Sequence, residues 1–136
     1  HDAGYPGGGP TTPVDYEKDA LRVLRRLEDM TKESSQIHLL SCNNNAFGTR
    51  ILECQDWRVP ALLDAYNGRI RQLSSRREDG SLQIITGSLN RSFFMDNSDI
   101  MDPLWDSAAD WSHSCHFAVR PLVYRLLSMI KRKPNK

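Results

Sequence analysis

The sequence predicts a layered α/β domain with a mostly parallel sheet and flanking helices, and three observations lead there. Segments with apolar residues at helical spacing alternate with short, nearly continuous apolar runs, the pattern of strands covered by helices. Each apolar run follows a helical segment, as crossover connections between parallel strands require. At 136 residues, 39% hydrophobic and 26% charged, the chain suits one ordinary domain with one core.

Residues 1–12 form a loop, rich in Gly and Pro (Gly4, Pro6, Gly7, Gly8, Gly9, Pro10) and without periodicity. A helix is expected over residues 13–32. Thr12 can cap it, Pro13 suits its first position, and Asp15 and Glu17 favour the positive end of its dipole. Ala20, Val23, Leu24, Leu27 and Met30 give it one apolar stripe. Gln36–Ser41 predicts a buried strand, and the amide-rich stretch after it predicts a loop. A second helix opens near Pro60, shows Val59, Leu62, Leu63, Tyr66, Ile70 and Leu73 on one face, and ends near Arg77 before the turn Glu78-Asp79-Gly80. Ser81–Thr86 is the second strand. Residues 87–110 read as irregular, pinned by Phe93, Phe94, Met95, Ile100, Leu104 and Trp105. The last helix carries Val119, Leu122, Val123, Leu126 and Ile130 on one face, with Pro121 near its first turn. Two strands are too few for a stable sheet, so further strands are expected upstream, with an exposed apolar edge or face where they belong.

A formal net charge of +1 gives no global field for nucleic acid or an acidic membrane. Arg22, Arg25 and Arg26, like Lys131-Arg132-Lys133, read as solvated faces. The apolar runs are far too short for a membrane span, and no signal peptide is visible. The first residue is His, not Met, as expected of a processed, excised or incomplete chain. Cys42 and Cys54 bracket a polar loop that a disulfide would staple if their Cα atoms lie within about 7 Å; Cys115 would then be the odd thiol. Asn90-Arg91-Ser92 is a glycosylation tripeptide and points toward a secretory or extracellular location.

The sharpest motif is Asp110-Trp111-Ser112-His113-Ser114-Cys115-His116, just before the last helix. A three-residue offset in a turn or helix puts Asp110 and His113 on one side. The carboxylate can then hold one imidazole nitrogen and leave the other to act as a base. The competing reading is that Asp110 caps the helix and His113 is an ordinary surface histidine. No serine in the chain makes a convincing nucleophile. Ser112 adjoins the base in sequence, and Ser88 and Ser92 lack the glycines of a nucleophile elbow. Cys115 as nucleophile needs a nearby base and partial exposure, whereas a structural role needs neither. His113, Cys115 and His116 with His38 or Cys42 are competent zinc donors, but their spacing matches no structural zinc pattern, and no metal or cofactor is expected. Asp96, Asp99, Asp102 and Asp106 form an acidic string without the glycine and glutamate of an EF-hand, expected as solvated loop acids. Trp57, Trp105 and Trp111 are either core anchors or stacking surfaces for sugar rings.

This final block resembles the last block of SGNH-type ester hydrolases, and more closely the PC-esterase and trichome-birefringence-like branch, where it reads Asp-Cys-Ser-His-Trp-Cys. Here Asp110, Ser112, His113 and Cys115 are kept, while Trp111 and Ser114 replace the first Cys and the Trp. The segment from Val59 to Ile70, with Tyr66-Asn67, is similar to a helix of that family, and His1-Asp2 is similar to the end of an upstream family segment. The resemblance implies the C-terminal portion of an SGNH-like three-layer domain over residues 13–136, with its N-terminal strands missing. It also implies a carboxylic ester substrate, plausibly O-acyl groups of a carbohydrate, with His113 as base and Asp110 as its orienter. The serine block and the Gly and Asn of the oxyanion hole are absent from the sequence. The isolated chain is therefore expected to be inactive, as part of a hydrolase or acyltransferase. The alternative is a non-catalytic binding module on an esterase-like skeleton.

Overall fold

The computed structural model describes residues 11–42, 60–104 and 116–131. The first helix, α1 (Pro13–Met30), starts where the capping residues place it: Thr12 Oγ1 accepts from the Asp15 amide at 3.1 Å. At its other end the Thr31 hydroxyl donates to the Leu27 carbonyl. Strand β1 (Ile37–Leu40) follows, then α2 (Pro60–Gln72), β2 (Ser74–Arg76), β3 (Leu82–Ile84), β4 (Ser92–Met95), a short helix α3 (Ser98–Met101) with a 3-10 turn Asp102–Leu104, and α4 (His116–Lys131).

The sheet is mixed, which corrects the expectation of mostly parallel pairing. Its order is β1-β4-β3-β2, with β1 and β4 parallel and the β4–β3 and β3–β2 pairs antiparallel. The connections explain this. A parallel crossover takes about a dozen residues or more, and residues 77–81 and 85–91 are shorter than that. Gly80 turns the first of these with φ +82° and Gly87 lies in the second with φ +56°, conformations that a side chain would strain. Only β1 and β4, separated by a long stretch containing α2, pair in parallel. Four strands are described where the sequence reading found two. Helix α2 stops at Gln72, short of Arg77, because Ser74–Arg76 pairs with β3; β4 lies inside the stretch read as irregular.

Helices α1 and α2 cover one face of the sheet, where Leu21, Leu24, Ile70, Ile84, Leu89 and Phe94 form the buried core. Arg69 of α2 bonds Glu17 of α1 at 2.6 Å. The end of α1 is fastened to the start of β4. Glu28 accepts from the Arg91 amide at 2.9 Å and the Ser92 hydroxyl at 2.7 Å. The Arg91 guanidinium in turn bonds the carbonyls of Glu28, in the last turn of α1, and of Lys32 and Ser35 just beyond it, so the first of these takes up an acceptor that the helix end leaves open.

Among the described residues nothing pairs with the outer edge of β1, where Leu40 is 56% exposed. Helix α4 lies differently from its predicted face. Val119 and Val123 are exposed, and the helix docks through Arg125 with Leu122, Leu126 and Met129 half-buried. No described helix is long and apolar enough to cross a membrane.

Candidate functional site

Strands β1 and β4 run side by side and end level, Leu40 beside Met95. The segments leaving their C-terminal ends are Ser41-Cys42 and Asp96-Asn97-Ser98, at the edge where α/β sheets hold ligands. These two segments are tied together. The Ser41 amide donates to the Met95 carbonyl at 3.0 Å, and the Asn97 amide donates to Ser41 Oγ at 3.0 Å. Both side chains are buried, and among the described residues Asn97 Oδ1 has no hydrogen-bond partner.

Helix α2 supplies a second clamp. Asn67, buried on its apolar face beside Tyr66 and Ile70, accepts from the Cys42 amide at 2.7 Å and donates to the Cys42 carbonyl at 2.8 Å. One side chain thus satisfies both backbone groups just past β1. Cys42 carries a free thiol that reaches the Tyr16 hydroxyl at 3.6 Å, and Tyr16 stacks on Tyr66 with ring centroids 4.5 Å apart. Burial pushes the Cys42 thiol up, only partly countered by that hydrogen bond, so it is a poor nucleophile at neutral pH.

Beyond β4, two arginines organise the acids of the predicted string. Arg71 Nε bonds Asp96 at 2.7 Å, and Ser98 donates to the same carboxylate from its hydroxyl and its amide. Burial would raise the Asp96 carboxyl, but the Arg71 and Ser98 bonds outweigh it and hold it below its ordinary value. Arg125 of α4 grips Asp99 through both carboxylate oxygens, at 2.7 and 2.6 Å, and donates to the Asp96 carbonyl at 2.7 Å. Asp96 and Asp99 are therefore ion-paired anchors of the following elements, which corrects their assignment as solvated loop acids.

Alongside lies a groove of about 550 Å³ lined by His38, Phe93, Arg76 and Ser81 on one side and Arg125 and Met129 of α4 on the other. His38 stacks on Phe93 with ring centroids 5.3 Å apart; burial holds its imidazole below the ordinary value, and it is neutral at pH 7. Among the described residues no three His, Cys, Asp or Glu side chains are grouped to hold a metal ion.

The predicted pair, Asp110 and His113, lies outside the described residues, as do Cys54, Cys115, Asp106 and all three tryptophans. The described chain leaves β4 through α3 to Leu104 and resumes at His116 with α4. The Arg125–Asp99 fork fastens these two arms to each other. Asn67, Arg71 and Arg125 were missed as organisers of this edge. For Asn67 a signal was present: an amide on the apolar face of α2, where a buried polar group needs partners. No family model, curated protein or solved structure matches the chain.

Proposed function

We propose that this chain is the C-terminal part of a serine ester hydrolase or acyltransferase acting on O-acyl groups of a carbohydrate, in a protein that follows the secretory route. The observation that carries the reading is the block from Asp110 to Cys115, with Asp three residues before His. What supports it in the described residues is that the elements flanking the block in sequence, α3 before it and α4 after it, are joined by the Arg125–Asp99 pair, and that β1 and β4 form a parallel pair of the kind whose C-terminal ends hold ligands in α/β folds.

In this reading His113 takes the proton of a serine hydroxyl as it attacks the acyl carbon. The same imidazole returns the proton to the departing alcohol, and Asp110 fixes its tautomer and steadies the imidazolium. The nucleophilic serine lies outside this chain, and water or a second sugar hydroxyl resolves the acyl-enzyme. The groove beside His38 and Arg76 offers an aromatic wall and polar rims suited to a sugar ring.

The test is ester turnover in a protein carrying both a Gly-Asp-Ser-type block and this chain, compared with its His113→Ala variant. A binding module on the same skeleton would bind a carbohydrate ester with no turnover in either form.

A further inference from the structure

The tripeptide Asn90-Arg91-Ser92 is the one N-x-Ser/Thr sequence in the chain, and the site described above makes no use of it. Its three residues have sharply different surroundings. Asn90 is exposed at the end of the loop before β4. Its backbone is pinned: the amide donates to Glu28 at 3.3 Å and the carbonyl accepts from Gln83 at 2.9 Å. Its side-chain amide has no hydrogen-bond partner among the described residues. Arg91 is folded back onto the end of α1. Ser92 is 0% exposed, and its hydroxyl donates to the Glu28 carboxylate at 2.7 Å.

We propose that Asn90 is a site of N-linked glycosylation; the inference rests on the secretory route proposed above. In the reaction Asn90 Nδ2 bonds to the anomeric carbon of an oligosaccharide carried on a lipid diphosphate. The carbon–oxygen bond to the diphosphate breaks, the lipid diphosphate leaves with the bonding pair, and the amide gives up one proton. The acceptor hydroxyl that defines the tripeptide is sealed against Glu28 once the chain folds. Modification therefore belongs to the extended chain, before β4 enters the sheet.

The folded protein accommodates the product. A sugar on Asn90 projects into solvent and displaces no internal bond. It stands at the N-terminal end of β4, a strand length of about 13 Å from the edge where β1 and β4 end, so it leaves that edge open.

The experiment is cell-free translation of the whole chain behind a secretory leader with rough microsomes, scoring only the protease-protected, imported product. The expected result is a single upward mobility shift that an N-glycosidase removes. The shift should be absent from Asn90→Gln and Ser92→Ala and kept by Ser92→Thr. Chain folded first and then exposed to opened microsomes should stay unmodified. Imported wild-type chain with no shift, or a shift that persists in Asn90→Gln, overturns the proposal. Either result leaves the ester-cleaving role of His113 standing, because that is read by turnover.

Discussion

Arg125 and Asp99 form a two-pronged ion pair, Nη1 to Oδ1 at 2.7 Å and Nη2 to Oδ2 at 2.6 Å, and through it α4 is attached to α3. The geometry needs a planar fork, which lysine lacks. Because the Asp99 side chain is 67% exposed, solvent weakens the pair. The additional bond from Arg125 to the Asp96 carbonyl, on the half-buried side, is the steadier contribution. Arg125→Ala should cost about 1–2 kcal/mol in denaturant unfolding, and Arg125→Lys should recover less than half of that. Hydrogen exchange should show the loss concentrated in α4.

Asn67 answers for both backbone groups of Cys42, and it is 4% exposed. Asn67→Leu keeps the γ-branched shape but cannot hydrogen-bond, and it leaves a part-buried N–H and C=O unpaired, so a loss of about 2–4 kcal/mol is expected. Differential scanning calorimetry on the two proteins checks this. An unchanged midpoint would mean that the Cys42 backbone finds water instead.

How much of this was legible depended on whether the signal was local. Thr12-Pro13 and the helical spacing fix α1 without any knowledge of its neighbours, and it ends two residues before the expected Lys32; its buried face is Leu21 and Leu24, whereas Val23, Leu27 and Met30 of the expected stripe are exposed. Strand β4 left no alternation to read, because Ser92, Phe93, Phe94 and Met95 are all buried. Strand β2, Ser74-Ser75-Arg76, has no apolar residue at all and owes its conformation to pairing with β3. The orientation of α4 could not follow from periodicity, since an inward-turned arginine is stable there only because Asp99 and the Asp96 carbonyl receive it. Asp110 and His113, which lie outside the described residues, are an expectation from spacing within one segment. The sequence was silent on Arg71 and Arg125, whose partners lie 25 and 26 residues away in the chain.

Glu28 should make the fold acid-sensitive. Burial opposes its ionisation, yet the Ser92 hydroxyl and the Arg91 and Asn90 amides hold its carboxyl below the ordinary 4.5. A lowered folded-state pKa contributes stability that is complete above the unfolded value and lost as pH falls through the folded one. The loss therefore begins below pH 4.5. Asp96 and Asp99, also lowered, extend it further into acid. Glu28→Gln should cost about 1 kcal/mol at neutral pH and flatten the first part of the acid limb in urea titrations.

His38 acts in a higher window. Burial lowers its pKa from 6.5, so the unfolded chain binds the proton first. Its contribution is complete above pH 6.5 and falls away as pH drops through that value toward the folded-state pKa. Between about pH 7.5 and about pH 5.5 the wild type should lose more stability than His38→Phe, which keeps the stacking on Phe93 and cannot titrate. Equal losses in the two proteins would show that His38 accepts its proton without penalty.

The central claim is that His113 and Asp110 are a base and its orienter, and ester turnover tests it most directly. In a protein carrying the serine block together with this chain, hydrolysis of a nitrophenyl acetate should fall by about 10⁴-fold in His113→Ala, and steeply in Asp110→Asn through the wrong tautomer. The fold should be unchanged by circular dichroism in both. An active parent whose His113→Ala and Asp110→Asn variants turn over at the parent rate would contradict the account and leave Asp110 as a helix cap.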